Sequence, residues 1–417
     1  MLFRLTVVWL LLEFGRPQDL LRFLAPLHLP ALVTLALGLA LIMSGRINFS
    51  EQQTRLFLWF LALMALHVPL AENHYRALMT LKTMVITLVV YFGIVVSINT
   101  VAKFHTFITL WLAVHCFLAV HGLMVRGQGV GGFLGDENDF AMTMNMIVPF
   151  SFFLAQDEQR VPRKLLYFGL TGLFVLTIIF TFSRGGFVGL IAVGLFCWLR
   201  SPRKLRSAAL IVALALLVSL AAREGYRERI DSIFQEGSSA GTGEDRVYMW
   251  KHAWKMFLSN PIIGVGQDNF PVRFEEYEDP DRLYGVTRAW RAAHSLYFTV
   301  LPELGLVGAC IFLTILYYIR KDLVAIRRSA PRLKAAHNVV PAILPYAYAL
   351  GASLWGFLVS SIFISTLYYP NFWVTMGLVV ALRRISSLEA QRTGAAVVAP
   401  DESTRPTATR NRPRRSW

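Results

Sequence analysis

Residues 164–200 read KLLYFGLTGLFVLTIIFTFSRGGFVGLIAVGLFCWLR, two apolar runs broken by the turn T-F-S-R-G-G. Each run approaches the about 20 residues that a helix needs to cross a bilayer. Between Lys164 and Arg200 the one charged side chain is Arg184. A soluble helix would set an apolar stripe against a charged face, whereas these runs are apolar all round. The stretch is a pair of membrane helices, and the rest of the chain is read as what surrounds them.

The pattern recurs on both sides. Hydropathy places about twelve candidate helices near residues 1–14, 28–44, 55–70, 78–101, 103–123, 139–156, 164–182, 185–200, 204–222, 294–320, 339–365 and 367–382. The first is too short to cross upright and reads as a tilted or re-entrant span; without a small-residue cleavage site it is expected to be retained. Composition agrees over all 417 residues: 55% are hydrophobic and 16% charged, against about 25% charged in soluble domains, and the mean hydropathy is +0.50. A water-soluble enzyme, a disordered chain and a disulfide-stapled secreted domain are excluded. The expected class is an all-α, polytopic integral membrane protein. Cys116, Cys197 and Cys310 lie inside apolar runs and read as small buried hydrophobes.

The net charge of +15 is explained by inner loops rather than by nucleic acid. With a cytoplasmic N-terminus, the basic clusters Arg160/Arg163/Lys164, Arg200/Arg203/Lys204/Arg206 and Arg320–Lys334 all fall inside, as does the arginine-rich tail. The outer connections hold only Arg16, Arg22, Arg76, Arg126 and Arg184. That is the asymmetry of the positive-inside rule. It divides the chain into N-terminal membrane helices (1–222), a long periplasmic loop (223–293), C-terminal membrane helices (294–385) and a disordered, basic cytoplasmic tail (386–417). Within the loop, Val247, Trp250, Trp254 and Phe257 recur at helical spacing, which predicts an amphipathic helix over 244–257 that covers the bundle or lies in the interface.

Three places carry chemistry. Ser183 can cap a helix that starts at Arg184, and Gly185 and Gly186 let a ligand approach its free N–H groups. A helix N-terminus beside a guanidinium suits an anion, phosphate above all; the alternative is an arginine snorkelling to headgroups. Arg246 opens the loop helix, as an anion ligand or as an ordinary partner of a neighbouring acid. His294 stands where the polar loop re-enters the membrane, either as a proton-transfer group or as a structural histidine. The acidic runs Asp136–Asp139 and Glu278–Asp281 read as helix caps and turns rather than metal ligands. No GxxxxGK[ST], CxxC or HExxH is present, so nucleotide hydrolysis and zinc chemistry lack support.

Together these segments resemble the O-antigen ligase and O-antigen polymerase superfamily. The likeness is carried by the S-R-G-G turn, by D-R-V-Y-M-W-K-H-A-W-K-M-F-L-S-N-P-I-I-G-V-G-Q-D-N-F over 245–270, and by A-H-S-L-Y-F-T-V-L-P-E-L-G-L-V-G over 293–308. The acidic-Asn run at 136–139 is similar to the exosortase-associated O-glycosylation ligase branch. The family often has Asn where this chain has Ser295. The resemblance implies a metal-independent, inverting GT-C-type glycosyltransferase of the bacterial inner membrane, with no cofactor. It would move a glycan from undecaprenyl diphosphate to an acceptor hydroxyl, that of lipid A core first, on the periplasmic side.

The residues fit that expectation. Arg184 and Arg246 can neutralise a departing diphosphate, and His294 can take the proton of the hydroxyl. Ser183, Gly185 and Ser295 stand as supporting residues, and Trp290 is placed to stack on sugar rings or to join an interfacial belt. A polymerase or a protein O-glycosylation ligase would differ only in acceptor. A lipid-linked sugar flippase would instead show paired halves and midplane charges, and Lys82 alone is deep within a span. The topology predicts that a cysteine at Ser239, in a protein lacking the three native cysteines, reacts with an impermeant reagent in intact spheroplasts. Labelling only after lysis would place the loop on the other side.

Overall fold

The computed structural model describes residues 1–125, 127–201, 204–205, 242–278, 292–336 and 343–392. Among the described residues the long elements are all helices: α1 Leu2–Gly15, α2 Leu29–Ser44, α3 Gln52–His67, α4 His74–Ser97, α5 Val101–Met124, α6 Glu137–Asp157, α7 Val161–Phe180, α8 Arg184–Arg200, α9 Thr242–Ser259, α10 Tyr297–Ala336, α11 Ile343–Ser360 and α12 Pro370–Arg392. The candidate at 204–222 lies, apart from its first two residues, outside the described residues, as does the C-terminal tail from residue 393.

Among the described residues six segments are long and apolar enough to cross a membrane: Phe23–Ser44, His74–Ser97, Val101–Met124, Val161–Phe180, Tyr297–Ala330 and Ile343–Ser360. The expectation of about twelve is larger: the candidate at 204–222 lies almost wholly outside the described residues, α12 turns polar after Leu382, and two physical reasons account for the rest. Helices α1, α3 and α8 have only 14, 16 and 17 residues. Helix α6 is polar, with Asp139, Thr143, Asn145 and Ser151 along it, yet every residue from Asp139 to Ala155 is buried. It packs against α7, α8 and α11, so protein rather than lipid faces its polar groups.

The architecture turns on a break in α10. At Gly305 the backbone adopts φ 62° and ψ −164°. An unbroken helix would donate Leu306 N–H to the Pro302 carbonyl and Val307 N–H to the Glu303 carbonyl. The break frees all four groups, and one loop takes all four. Val265 N–H and Gly266 N–H donate to Pro302 and Glu303 at 2.8 and 2.9 Å, while Leu306 N–H and Val307 N–H donate to Pro261 and Ile262 at 2.8 and 3.0 Å. This is the run N-P-I-I-G-V-G, and its glycine is needed for close approach. A Cβ on Gly264 would lie 2.5 Å from the Glu303 carbonyl carbon, and one on Gly305 2.4 Å from the Ile262 oxygen.

The Glu303 side chain completes the junction. Its carboxylate accepts from Asp268 N–H at 2.9 Å, Phe270 N–H at 3.3 Å and the Tyr368 hydroxyl at 2.6 Å. Gln267 donates to the Met64 and Ala77 carbonyls, and His67 to that of Ile263. Arg76 grips the Asp268 carboxylate with two nitrogens. The loop after α9 is thereby bolted to α3, α4, α10 and the head of α12.

Helix α9 is longer than expected and turned about its axis. Ala253 and Met256 are fully buried and Phe257 nearly so, but Val247 and Trp254 are 62% and 47% exposed. Of the expected face Val247/Trp250/Trp254/Phe257, Phe257 packs inward while Val247 and Trp254 point away from the bundle. Gly305→Ala should abolish the monodisperse peak of detergent-solubilised protein. Gly169→Ala, on α7 with open space where its Cβ would go, should keep it. Wild-type melting of the Gly305 variant would contradict the account of the break.

Candidate active site

At the N-terminal ends of α6 and α8, two helix starts lie side by side. Asp136 caps α6, accepting from Asn138 N–H at 2.8 Å and Asp139 N–H at 3.4 Å. Ser183 caps α8, accepting from Gly186 N–H at 2.9 Å and donating its own proton to the Asn138 amide oxygen at 2.7 Å. Arg184 is the first residue of α8. Gly185 packs on Phe363, whose Cβ would lie 3.2 Å from a Cβ added there. A side chain at Gly185 would crowd Phe363.

Phe363 is also where α9 arrives. The Arg246 guanidinium lies 5.9 Å over its ring, within cation–π range. One turn on, Trp250 stacks on Phe298 at 5.2 Å and 12° and donates its indole N–H to the Ala293 carbonyl at 2.9 Å. That bond fixes the residue before His294. On the other side Ser295 N–H donates to Ser365 at 3.3 Å and Leu296 N–H to the Ser361 carbonyl at 2.8 Å. Pinned at both ends, His294 takes φ 46°, and Phe182, two residues before Arg184, takes φ 54°. Non-glycine residues held in this region gather at functional sites.

Arg184, Arg246 and His294, distant in sequence, are thus brought into one electrostatic neighbourhood together with Asp136. Partial burial, and then the charge of Arg184, lower the proton affinity of Arg246, while Asp136 opposes them. Burial of part of the ring, and then Arg246, hold His294 below the ordinary histidine value, with Asp136 again opposing. Such a histidine is neutral near pH 7 and able to accept a proton.

The other expected residues fall variously. Ser183 is a cap and Gly185 a contact surface. Ser295 is 1% exposed, so it supports the histidine's backbone and does not face a substrate. Trp290 lies outside the described residues, as do Asp279 and Asp281. Asp139 accepts from the Tyr369 hydroxyl at 3.0 Å, so the first acidic run is a cap and a buried partner. Among the described residues no three His, Cys, Asp or Glu side chains gather as metal ligands would. Tyr297 donates to the Leu358 carbonyl at 3.0 Å, and Glu303 braces the loop. Of the motif H-x-x-Y-x-x-x-x-x-E, only the histidine stands at the site. A separate cavity of about 460 Å³, lined by His67, Glu72, Asn260 and Arg273 among others, lies at the 260–265 loop and includes none of the three candidate residues.

Residues 169–313 match the O-antigen ligase family. The matched stretch contains the S-R-G-G turn, α9, the bolted loop, His294 and the break at Gly305, so the resemblance carried by those motifs holds over the segment that supplies Arg184, Arg246 and His294. Members of the O-antigen ligase family are glycosyl-transfer enzymes. No curated protein matches the chain.

The sequence reading missed Phe363, Trp250 as a latch, and the link from Asn138 to Ser183. Phe363 is an apolar residue among serines, S-S-I-F-I-S over 360–365, and the other two act through contacts across long stretches of chain. The electrostatics give a prediction for His294. Its modification by diethyl pyrocarbonate, followed on its own peptide, should have an acid midpoint below pH 6.5, the ordinary value. Arg246→Gln removes a repelling charge and should raise that midpoint; Asp136→Asn removes an attracting one and should lower it. A midpoint indifferent to Arg246 would contradict the neighbourhood described.

Proposed function

We propose that this protein is a periplasm-facing, inverting, metal-independent ligase of the GT-C type. It transfers a glycan from undecaprenyl diphosphate to an acceptor hydroxyl, with lipid A core as the first acceptor. The single observation that supports the reading is the convergence of Arg184, Arg246 and His294 into one electrostatic neighbourhood. Two fixed cations are what a departing diphosphate requires, and a neutral imidazole beside them is what a weakly acidic hydroxyl requires.

In the reaction the acceptor oxygen attacks the anomeric carbon from the face opposite the diphosphate. The bond from that carbon to the phosphate oxygen breaks, and its electron pair leaves with the undecaprenyl diphosphate. The hydroxyl proton passes to His294. Arg184 and Arg246 hold the charge that grows on the leaving phosphates. Arg246, stacked over Phe363, approaches from α9, and Arg184 from the start of α8, so the phosphates are met from two sides. The exposed apolar outer face of α8, where Phe187, Ile191 and Leu195 are 43–57% exposed, leaves a polyprenyl chain lipid to lie in.

The test is transfer by purified protein given a lipid-linked donor and, in turn, lipid A core, free glycan and protein. Transfer to lipid A core that survives EDTA is expected. His294→Ala should lose about 10²–10⁴-fold in turnover per folded molecule, about 3–5 kcal/mol, with donor binding kept. Arg184→Lys and Arg246→Lys should impair transfer strongly, since lysine loses the planar fork. Restoration of an EDTA-treated sample by Mg²⁺, or near-normal turnover in the His294 variant, would contradict the proposal. Transfer to glycan or protein alone would change the acceptor and keep the chemistry.

A further inference from the structure

The start of α8 is held more firmly than a helix cap requires. Ser183 alone satisfies Gly186 N–H, yet α6 adds two asparagines on the same face, two turns apart. Asn138 receives the Ser183 hydroxyl at 2.7 Å, and Asn145 donates to the Gly186 carbonyl at 2.8 Å. The glycines of α8 allow this approach: a Cβ on Gly186 would lie 2.4 Å from that of Ala141, and one on Gly189 2.6 Å from the Asn145 amide nitrogen.

The hydrogen bonds run in one direction. Because Ser183 accepts from Gly186, its single proton goes to Asn138, which fixes the Asn138 oxygen on that side. The amide nitrogen of Asn138 then donates to Asp136 at 3.0 Å. The chain therefore runs from the first turn of α8, through Ser183 and Asn138, to the carboxylate that opposes Arg246 in its effect on His294. Asn138 is half-buried and touches neither arginine nor the histidine by any of these bonds.

We propose that Asn138 is a positioning residue for donor binding: it locks Ser183, and through it the backbone of Arg184, onto the cap of α6, so that both helix starts and Arg184 meet the diphosphate as one preorganised unit. This rests on the donor reading above. Preorganisation of this kind acts on affinity for the group that is held, not on the acceptor.

The experiment measures binding of undecaprenyl diphosphate itself, the donor and acceptor KM values, and melting, in full-length protein. Asn138→Ala should weaken undecaprenyl diphosphate binding and raise the donor KM about tenfold, the worth of one well-placed hydrogen bond to a charged-site scaffold, with acceptor KM unchanged. The Asn138→Ala/Ser183→Ala double variant should be no worse than the poorer single variant. In an Arg184→Ala background, Asn138→Ala should have little further effect. Wild-type donor affinity in Asn138→Ala would overturn the proposal. So would a donor-affinity loss that multiplies in full with that of Arg184→Ala, or equal losses in donor and acceptor KM that track melting. If Arg184→Ala and Arg246→Ala both bind the lipid normally, it is the donor reading that fails. If those arginines matter and Asn138 does not, only the positioning role fails.

Discussion

A helix broken inside a membrane protein must find partners for the backbone groups it releases, since no water is at hand to take them. Here the release at Gly305 and the supply from Pro261–Gly266 match group for group. Each of the four bonds is ordinary. Together they turn the loop after α9 into part of the bundle, and the candidate site is arranged from that junction. Glu303, placed by the same break, spends its buried carboxylate on the loop backbone at Asp268 and Phe270 and on Tyr368. It therefore belongs to the scaffold and not to the chemistry, although a motif reading sets it beside the histidine.

From that anchor, α9 runs to the other end of the site. Its C-terminus is fixed at Asn260, which precedes the bolted loop, and its N-terminal half is latched by Trp250 to the Ala293 carbonyl. Arg246, one turn before Trp250, has little choice of position. The turn after α11 supplies the floor, with Phe363 under both Gly185 and Arg246 and with Ser361 and Ser365 holding the backbone on either side of Leu296 and Ser295. Four separate stretches of chain thus meet at one place. The two cations repel each other there, and Asp136 is the described acid whose charge opposes that repulsion at Arg246. A bound dianion would relieve it further, which is why the arrangement suits a diphosphate better than a neutral ligand.

Much of this was legible beforehand. Apolar runs located eleven of the long helices, nine of them within a few residues at both ends, because burial in lipid or protein demands the same side chains; α10 and α12 run on well past their apolar stretches into Ala336 and Arg392. Arg184, Arg246 and His294 stood out since each is a charged or titratable group at the edge of an apolar segment. Span counting did less well, because hydropathy cannot tell a helix that faces lipid from one enclosed by other helices; in α6, Tyr369 partners one oxygen of Asp139, and Gly186 and Ser360 partner the amide nitrogen of Asn145. The rotation of α9 was not legible either. Trp254 and Ala253 are neighbours in sequence, and which of them turns inward depends on the surface at Val265, Phe270 and Phe274 that the bolted loop presents. Phe363 has no distinguishing composition, and Asn138 stands out only as part of the acidic-Asn run; both matter through what they touch.

The central claim is that a diphosphate is held between Arg184 and Arg246 within reach of His294. The direct measurement is a cryo-electron microscopy structure of the protein in a lipid nanodisc with undecaprenyl diphosphate bound. Both guanidinium groups should lie within hydrogen-bonding distance of phosphate oxygens above Phe363, with the prenyl chain passing along the outer face of α8. Phosphate density elsewhere, as in the cavity beside His67 and Arg273, with Arg184 and Arg246 left without contact to it, would contradict the account.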